Sequence, residues 1–252
     1  MDRRNFLKTG GIALLGSLAT GSAMALTTPG ALGGEGADKK AAVALAMNHF
    51  GVSEADLKKV LAAALEKGGD YADLFFEHTI SNSIRLMDGA VNNSYSNIDY
   101  GVGVRVLTGD QSGYAYVENI TVEDMLKAAR TAARIASANK GNKPLNLTEK
   151  ELKKNYYTVA SPWEEVSLKD KMPYLQKLND RIFALDKRVH KVQASQSDTT
   201  SHIFFCNSEG VMFYDYRPMV TLGAVCIMEE DGKTENGYAA RAYRRGFDFL
   251  SG

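Results

Sequence analysis

Any chemistry in this sequence has to come from a small set of side chains, and the four histidines, His49, His78, His190 and His202, are the first of them. A zinc site needs ligands at fixed spacings, and none of the four has a second His at such a spacing. In FEHTI, Glu77-His78 has no partner histidine three or four residues on, so an H-E-x-x-H helix is absent from these residues. Each histidine reads as a surface or strand residue. The acidic runs Glu164-Glu165 and Glu229-Glu230-Asp231 could hold a divalent cation, but such turns are ordinarily solvated surface. Arg244-Arg245 would clamp an anion or sit exposed. No G-x-S-x-G or G-x-G-x-x-G pattern occurs. Gly101 and Gly103 approach the dinucleotide pattern but lack the third glycine and run into a strand, where small residues let another backbone come close. Cys206 and Cys226 lie in the strand-like stretches IFFCN and GAVCIM without a C-x-x-C; they would pair in an oxidising compartment if their strands are neighbours, or remain buried free thiols. No catalytic or metal-ligating residue is assigned.

The elements that must position these residues belong to a chain of 252 residues, 44% hydrophobic and 24% charged, enough for a real core. Thirty basic and thirty acidic residues cancel, which gives no support to nucleic acid or an anionic membrane as partner. The N-terminus, MDRRNFLKTGGIALLGSLATGSAMA, reads as an export signal over 1–25. Arg3-Arg4 followed by Phe6-Leu7-Lys8 is the twin-arginine pattern, and Ala23-Met24-Ala25 is an A-x-A cleavage site. The alternative is an ordinary signal peptide that carries two arginines. The apolar run is shorter than the ~20 residues a permanent anchor needs, so a periplasmic protein without a stable membrane anchor is expected.

After a Gly-rich spacer and lead-in (26–52), Ser53 and Asp56 form a capping-box pair ahead of a helix that ends at Gly68-Gly69. Strands are predicted over Tyr71–Ile80 and Ser83–Met87, then a tight turn at Asp88-Gly89. Val102, Val104 and Val106 alternate with Gly101, Gly103 and Arg105, giving one apolar and one open face. The open strand is a candidate for pairing with an extended peptide. A second capped helix starts at Thr121, completing an N-terminal α+β domain over 53–138. A polar linker (139–166) leads to a third helix and antiparallel strands (167–252), with turns at Ser208-Glu209-Gly210 and Asp231-Gly232. The expected fold is α+β, helices packed on antiparallel β-meanders.

Several of these segments resemble the TldD/PmbA family, historically called modulators of DNA gyrase. The segments are GDYADLFFE (69–77), NIDYGVGVRVLTGDQSGYAYVENIT (97–121), ARTAARIA (129–136), RVHKVQASQSD (188–198), the run from Ser208 to Gly237, and RRGFDFL (244–250). Tyr-Ala-Asp-Leu and Gly-Val-Gly-Val-Arg are more similar to TldD than to its PmbA (TldE) partner. The resemblance implies a zinc metallopeptidase that works as a TldD–TldE heterodimer and admits unfolded peptides to an enclosed channel. In the family, zinc sits on an H-E-x-x-x-H helix downstream of the segment matching RRGFDFL. No zinc ligand therefore transfers to these residues, and the 252-residue chain alone is expected to be inactive. Its part would be scaffold, substrate channel and subunit pairing; the alternative is a non-catalytic peptide-binding or assembly subunit.

Overall fold

The computed structural model describes residues 39–136, 146–149, 157 and 159–250. The export-signal residues Arg3, Arg4, Phe6, Leu7, Lys8, Ala23 and Ala25, and most of the linker, lie outside the described residues.

Local sequence sets the helix starts and the turns. Helix α1 (Lys39–Phe50) precedes α2 (Glu54–Leu65), whose capping box is formed in full: the Ser53 hydroxyl accepts from Asp56 N–H, and the Asp56 carboxylate accepts from Ser53 N–H. Residues 39–50 fall in the lead-in of the sequence reading, yet they form a helix because Val43, Ala46 and Phe50 recur at helical spacing and are buried. Strand β1 (Tyr71–Met87) is one uninterrupted strand where two were predicted. It turns at Asp88-Gly89, both with positive φ (50° and 79°), into β2 (Ala90–Thr108). Positive φ at both central positions is the tight hairpin turn whose twist matches the strands. Strand β3 (Gln111–Val117) and helix α3 (Val122–Ile135), capped by Thr121, follow. The two-residue β4 (Thr148–Glu149) precedes a short 3-10 turn at Trp163–Glu165 and helix α4 (Leu168–Leu185), capped by Ser167. The long strands β5 (Val189–Asn207), β6 (Val211–Glu230) and β7 (Lys233–Tyr243) complete the sheet, with Asp231-Gly232 repeating the positive-φ turn.

These strands make a single seven-stranded sheet in the order β3-β2-β1-β5-β6-β4, with β7 also on β6. Every pairing is antiparallel except the short β4–β6 contact. The fold is the expected α+β type. Strand β1 pairs with β5 from Asp73↔Asn207 to Met87↔Gln193, so residues before the linker and after it share one sheet.

The described helices pack on one face. Phe50, Leu57, Leu61 and Met125 meet Leu74, Phe76, Val102, Val104, Phe204 and Cys206 in the main core. At ~1.5–3 kcal/mol per fully buried large apolar side chain, this cluster is the main favourable contribution to the fold. Gly113 lets α3 lie directly on β3, since a Cβ there would strike the Ala132 carbonyl. At the other end of the same face a smaller cluster joins Leu175 of α4 to Ile84, Leu86 and Ala194. The apolar side chains of α4 are only partly used: Leu175 is buried, whereas Leu168 and Leu185 are exposed.

Between the two clusters runs a buried polar band. Lys171 of α4 donates to Asp198 of β5 at 2.8 Å, both side chains being buried, and Asn82 and Gln196 donate to the same carboxylate at 3.0 and 3.2 Å. A buried pair is a poor source of net stability, but removing one member strands the other charge in the interior. Asp198→Ala is therefore expected to destabilise the protein by ~3–5 kcal/mol in urea unfolding, with the double change Lys171→Met, Asp198→Leu costing clearly less.

Candidate functional site

The face of the sheet opposite the helices carries the other half of the strand alternation. On β1, Leu74, Phe76, Ile84 and Leu86 point to the helices while Phe75, Glu77, Thr79, Ser81 and Ser83 point away. Their partners on β5 continue the pattern: the Thr79 and Ser201 hydroxyls are hydrogen-bonded at 2.8 Å, Ser197 Oγ donates to Ser83 Oγ at 3.1 Å, and the Ser81 and Thr199 hydroxyls are 3.4 Å apart. None of the described helices packs on this ladder of hydroxyls. At one end it meets aromatic rings, with Phe75 opposite Phe205 and the Phe205 and Phe213 rings stacked at 5.0 Å.

Gly101, Gly103 and Arg105 lie on this outer face. Arg105 and Gly103 are not an open edge: β1 pairs with them on one side (Asp73↔Arg105, Phe75↔Gly103) and β3 on the other (Arg105↔Tyr114, Gly103↔Tyr116). A peptide cannot add a strand there, because both rows of backbone groups are already used. Arg105 instead donates through Nε to Asp73 Oδ2 at 2.9 Å, and its guanidinium stands 5.9 Å from the Tyr71 ring centre. The glycines do allow close approach. A Cβ at Gly101 would lie 2.6 Å from the Val117 carbonyl oxygen, and one at Gly103 would strike the Tyr114 ring. The outcome is a groove of about 430 Å³ over the glycine floor, walled by Phe75, Tyr114 and Tyr116 and edged by Glu77, Asp99 and Glu118.

The cysteines sit on neighbouring strands but far apart along them. Cys206 is opposite Met212 and Cys226 is opposite Val192, a separation of fourteen residues along β5 or about 46 Å, so both are free thiols. Burial pushes the Cys206 thiol far above its ordinary range, which makes it inert.

The sequence reading missed one constellation. His49 from α1, His78 from β1 and His202 from β5 stack in one cluster, with ring centres 4.9 Å apart for His49–His78 and His49–His202. His49 Nε2 and His78 Nδ1 are 2.8 Å apart, and His202 bonds Tyr214 Oη through Nδ1 at 2.8 Å and Glu164 Oε2 through Nε2 at 3.1 Å. The signal was present: His78 shares the inward parity of Leu74 and Phe76, and His202 that of Phe204, but only pairing of β1 with β5 brings them face to face. Burial, then the neighbouring His202 and His78, lowers the His49 pKa from 6.5 to about 4, and burial followed by His202 lowers that of His78.

This helix-backed antiparallel sheet superposes on solved structures. The structure of a protein designated a modulator of DNA gyrase from Bacteroides thetaiotaomicron superposes with a TM-score of 0.61 at 13% identity, covering 76% of this chain and 45% of that one. TldE from Thermococcus kodakarensis superposes with a TM-score of 0.54 at 14% identity, covering 75% and 43%. In sequence, residues 72–136 match the PmbA/TldA metallopeptidase domain 1 and residues 161–251 match the PmbA/TldA metallopeptidase central domain. The chain belongs to the PmbA/TldD family. A metalloprotease TldD homolog of Haemophilus influenzae is 31% identical over 185 residues, which is 72% of this chain and 38% of that protein. The homolog of the same name from Buchnera aphidicola of Acyrthosiphon pisum is 27% identical over 81% of this chain and 42% of its own length. The chain thus spans about two fifths of these relatives.

The histidine cluster yields a pH dependence of defined sign. A lone bond between two imidazoles needs one donor and one acceptor, so protonating both His49 and His78 breaks it. Because the folded pKa values lie below the unfolded value, the unfolded chain binds more protons, and stability falls as pH drops from about 6.5 towards about 4. Melting curves across this window are expected to shift down by roughly 3 °C or more. His49→Gln should flatten the dependence, and amide exchange in α1 should accelerate first.

Proposed function

We propose that this chain forms the first and central domains of an exported TldD-like zinc metallopeptidase that acts on unfolded peptides. In this reading it supplies scaffold, part of the substrate path and the surface that meets a TldE/PmbA-like partner subunit. The observation that carries it is the uncovered face of the sheet. In a chain whose two segments match metallopeptidase domains, a long surface of hydroxyls and aromatic rings carries none of the described helices, which pack on the opposite face. Such a surface suits an extended chain, offering hydrogen-bonding groups and apolar patches along its length without demanding one sequence. The solved TldE neighbour supports partnering of the TldD–TldE kind.

The described residues do not fit the zinc itself. The facing nitrogens of His49 and His78 bond each other and both nitrogens of His202 are engaged, leaving no convergent set of lone pairs. No group of three His, Cys, Asp or Glu among the described residues is placed to hold a metal ion. The ligands in this reading belong to another part of the polypeptide, on an H-E-x-x-x-H helix. Export by the twin-arginine route would deliver the protein folded to the periplasm, after metal loading and subunit pairing.

Two measurements test this reading. The complete reading frame, co-expressed with its partner, is expected to carry about one zinc ion per TldD-like subunit and to cut unfolded but not folded protein, with activity lost to a chelator. A zinc-free complex that binds extended peptides and never cleaves them would leave the assembly-subunit reading instead. Residues 1–38 fused to a folded reporter should direct it to the periplasm, and Arg3→Lys with Arg4→Lys should hold the reporter in the cytoplasm.

A further inference from the structure

The groove over the glycine floor combines two features that an unfolded-peptide path does not by itself require. Its walls are three aromatic rings held open to solvent: Phe75, Tyr114 and Tyr116 are 36%, 58% and 65% exposed. Its edge carries Glu77, Asp99 and Glu118, and no Lys or Arg lines it. The basic side chain on the same strand face, Arg105, is tied to Asp73 and does not neutralise these carboxylates. Glu77 accepts from Thr79 Oγ1 at 2.6 Å through one oxygen and Asp99 accepts from Asn97 Nδ2 at 3.1 Å through one oxygen. The second oxygen of each has no partner among the described residues.

We infer that this groove is a subsite for one cationic side chain, Arg or Lys, of an extended peptide. A cation above an aromatic face is attracted by the ring quadrupole, and a guanidinium also stacks flat on it, so several rings with acidic groups beside them select positive charge over a neutral group of equal shape. At Gly103 and Arg105 recognition is through the side chain, since both edges of the strand are occupied there. The glycines set the depth: any side chain at position 103 would displace Tyr114 and close the groove. The inference rests on the proposed peptide reading only for what presents the cation.

The test is a titration of the purified 252-residue chain with acetyl-Ala-Ala-Arg-Ala-Ala-amide and with the same peptide carrying citrulline, which keeps the shape and loses the charge. Tyrosine ring resonances report binding. The arginine peptide is expected to bind saturably, to weaken as salt rises from about 0.05 to about 0.5 M, and to bind about tenfold more tightly than the citrulline peptide. Glu77→Gln with Glu118→Gln, and separately Tyr116→Leu, should each reduce affinity for the arginine peptide several-fold while leaving the melting curve in place. Equal binding of the two peptides, no saturable binding, or an unaltered affinity in both variants would overturn the subsite. Zinc-dependent turnover by the complete protein is a separate readout, so loss of this subsite and loss of the peptidase reading are distinguishable.

Discussion

The antiparallel pairing of β1 with β5 is the constraint on which the rest of the molecule depends. It joins backbone groups up to 136 positions apart, as where Ser208 N–H donates to the Ala72 carbonyl at 2.8 Å. Closing so long a loop is entropically costly, and the fifteen-residue register from Asp73 to Met87 offsets it with backbone hydrogen bonds and one continuous buried face. A slip of one residue would turn every side chain to the opposite face. If β5 slipped, Phe204 and Cys206 would leave the core, and Ser197, Thr199 and Ser201 would be driven beneath the helices.

The same register explains why the interior is divided. Apolar residues fill both ends of the helix-covered face, but its middle holds Asp198, Lys171, Gln196 and His202, all buried. Charge pairing there selects one seating for α4, since any other leaves an ammonium or a carboxylate buried alone. The histidine stack is the neighbouring part of this band, and it fastens α1 to the sheet with groups whose hydrogen bonding depends on proton count. Hydrophobic burial dominates where α2 and α3 sit, whereas polar geometry weighs more where α1 and α4 approach β5.

On the outer face the division of labour is reversed. No helix among those described covers it, so its residues are free of packing demands and carry small hydroxyls, glycines and exposed rings. The proposed handling of extended chains would require such a surface to be firm yet undemanding. Firmness comes from the sheet and its helical backing, and tolerance comes from shallow, repeated groups rather than one deep pocket. In that proposal the aromatic and acidic groove at one end is where the tolerance would narrow.

Much of the fold was legible because its signals are local. Asp88-Gly89 and Asp231-Gly232 specify positive-φ turns, Ser53 and Asp56 specify a helix start, and Val102, Val104 and Val106 specify a one-sided strand, each through the sterics or hydrogen bonding of a few consecutive residues. The family resemblance rested on runs of the same kind. What sequence left open was every relation between segments distant along the chain. Gly101, Gly103 and Arg105 read as an open strand, and only the tertiary structure shows that β3 and β1 flank Gly103 and Arg105 on both sides. Cys206 and Cys226 were consistent with a bridge until strand register set them about 46 Å apart. Three histidines that each looked solitary became one cluster because β1, β5 and α1 converge there. The physical reason is the same in all three cases: local conformation is fixed by neighbouring residues, while partnership is fixed by long-range pairing, which no short stretch of sequence encodes by itself.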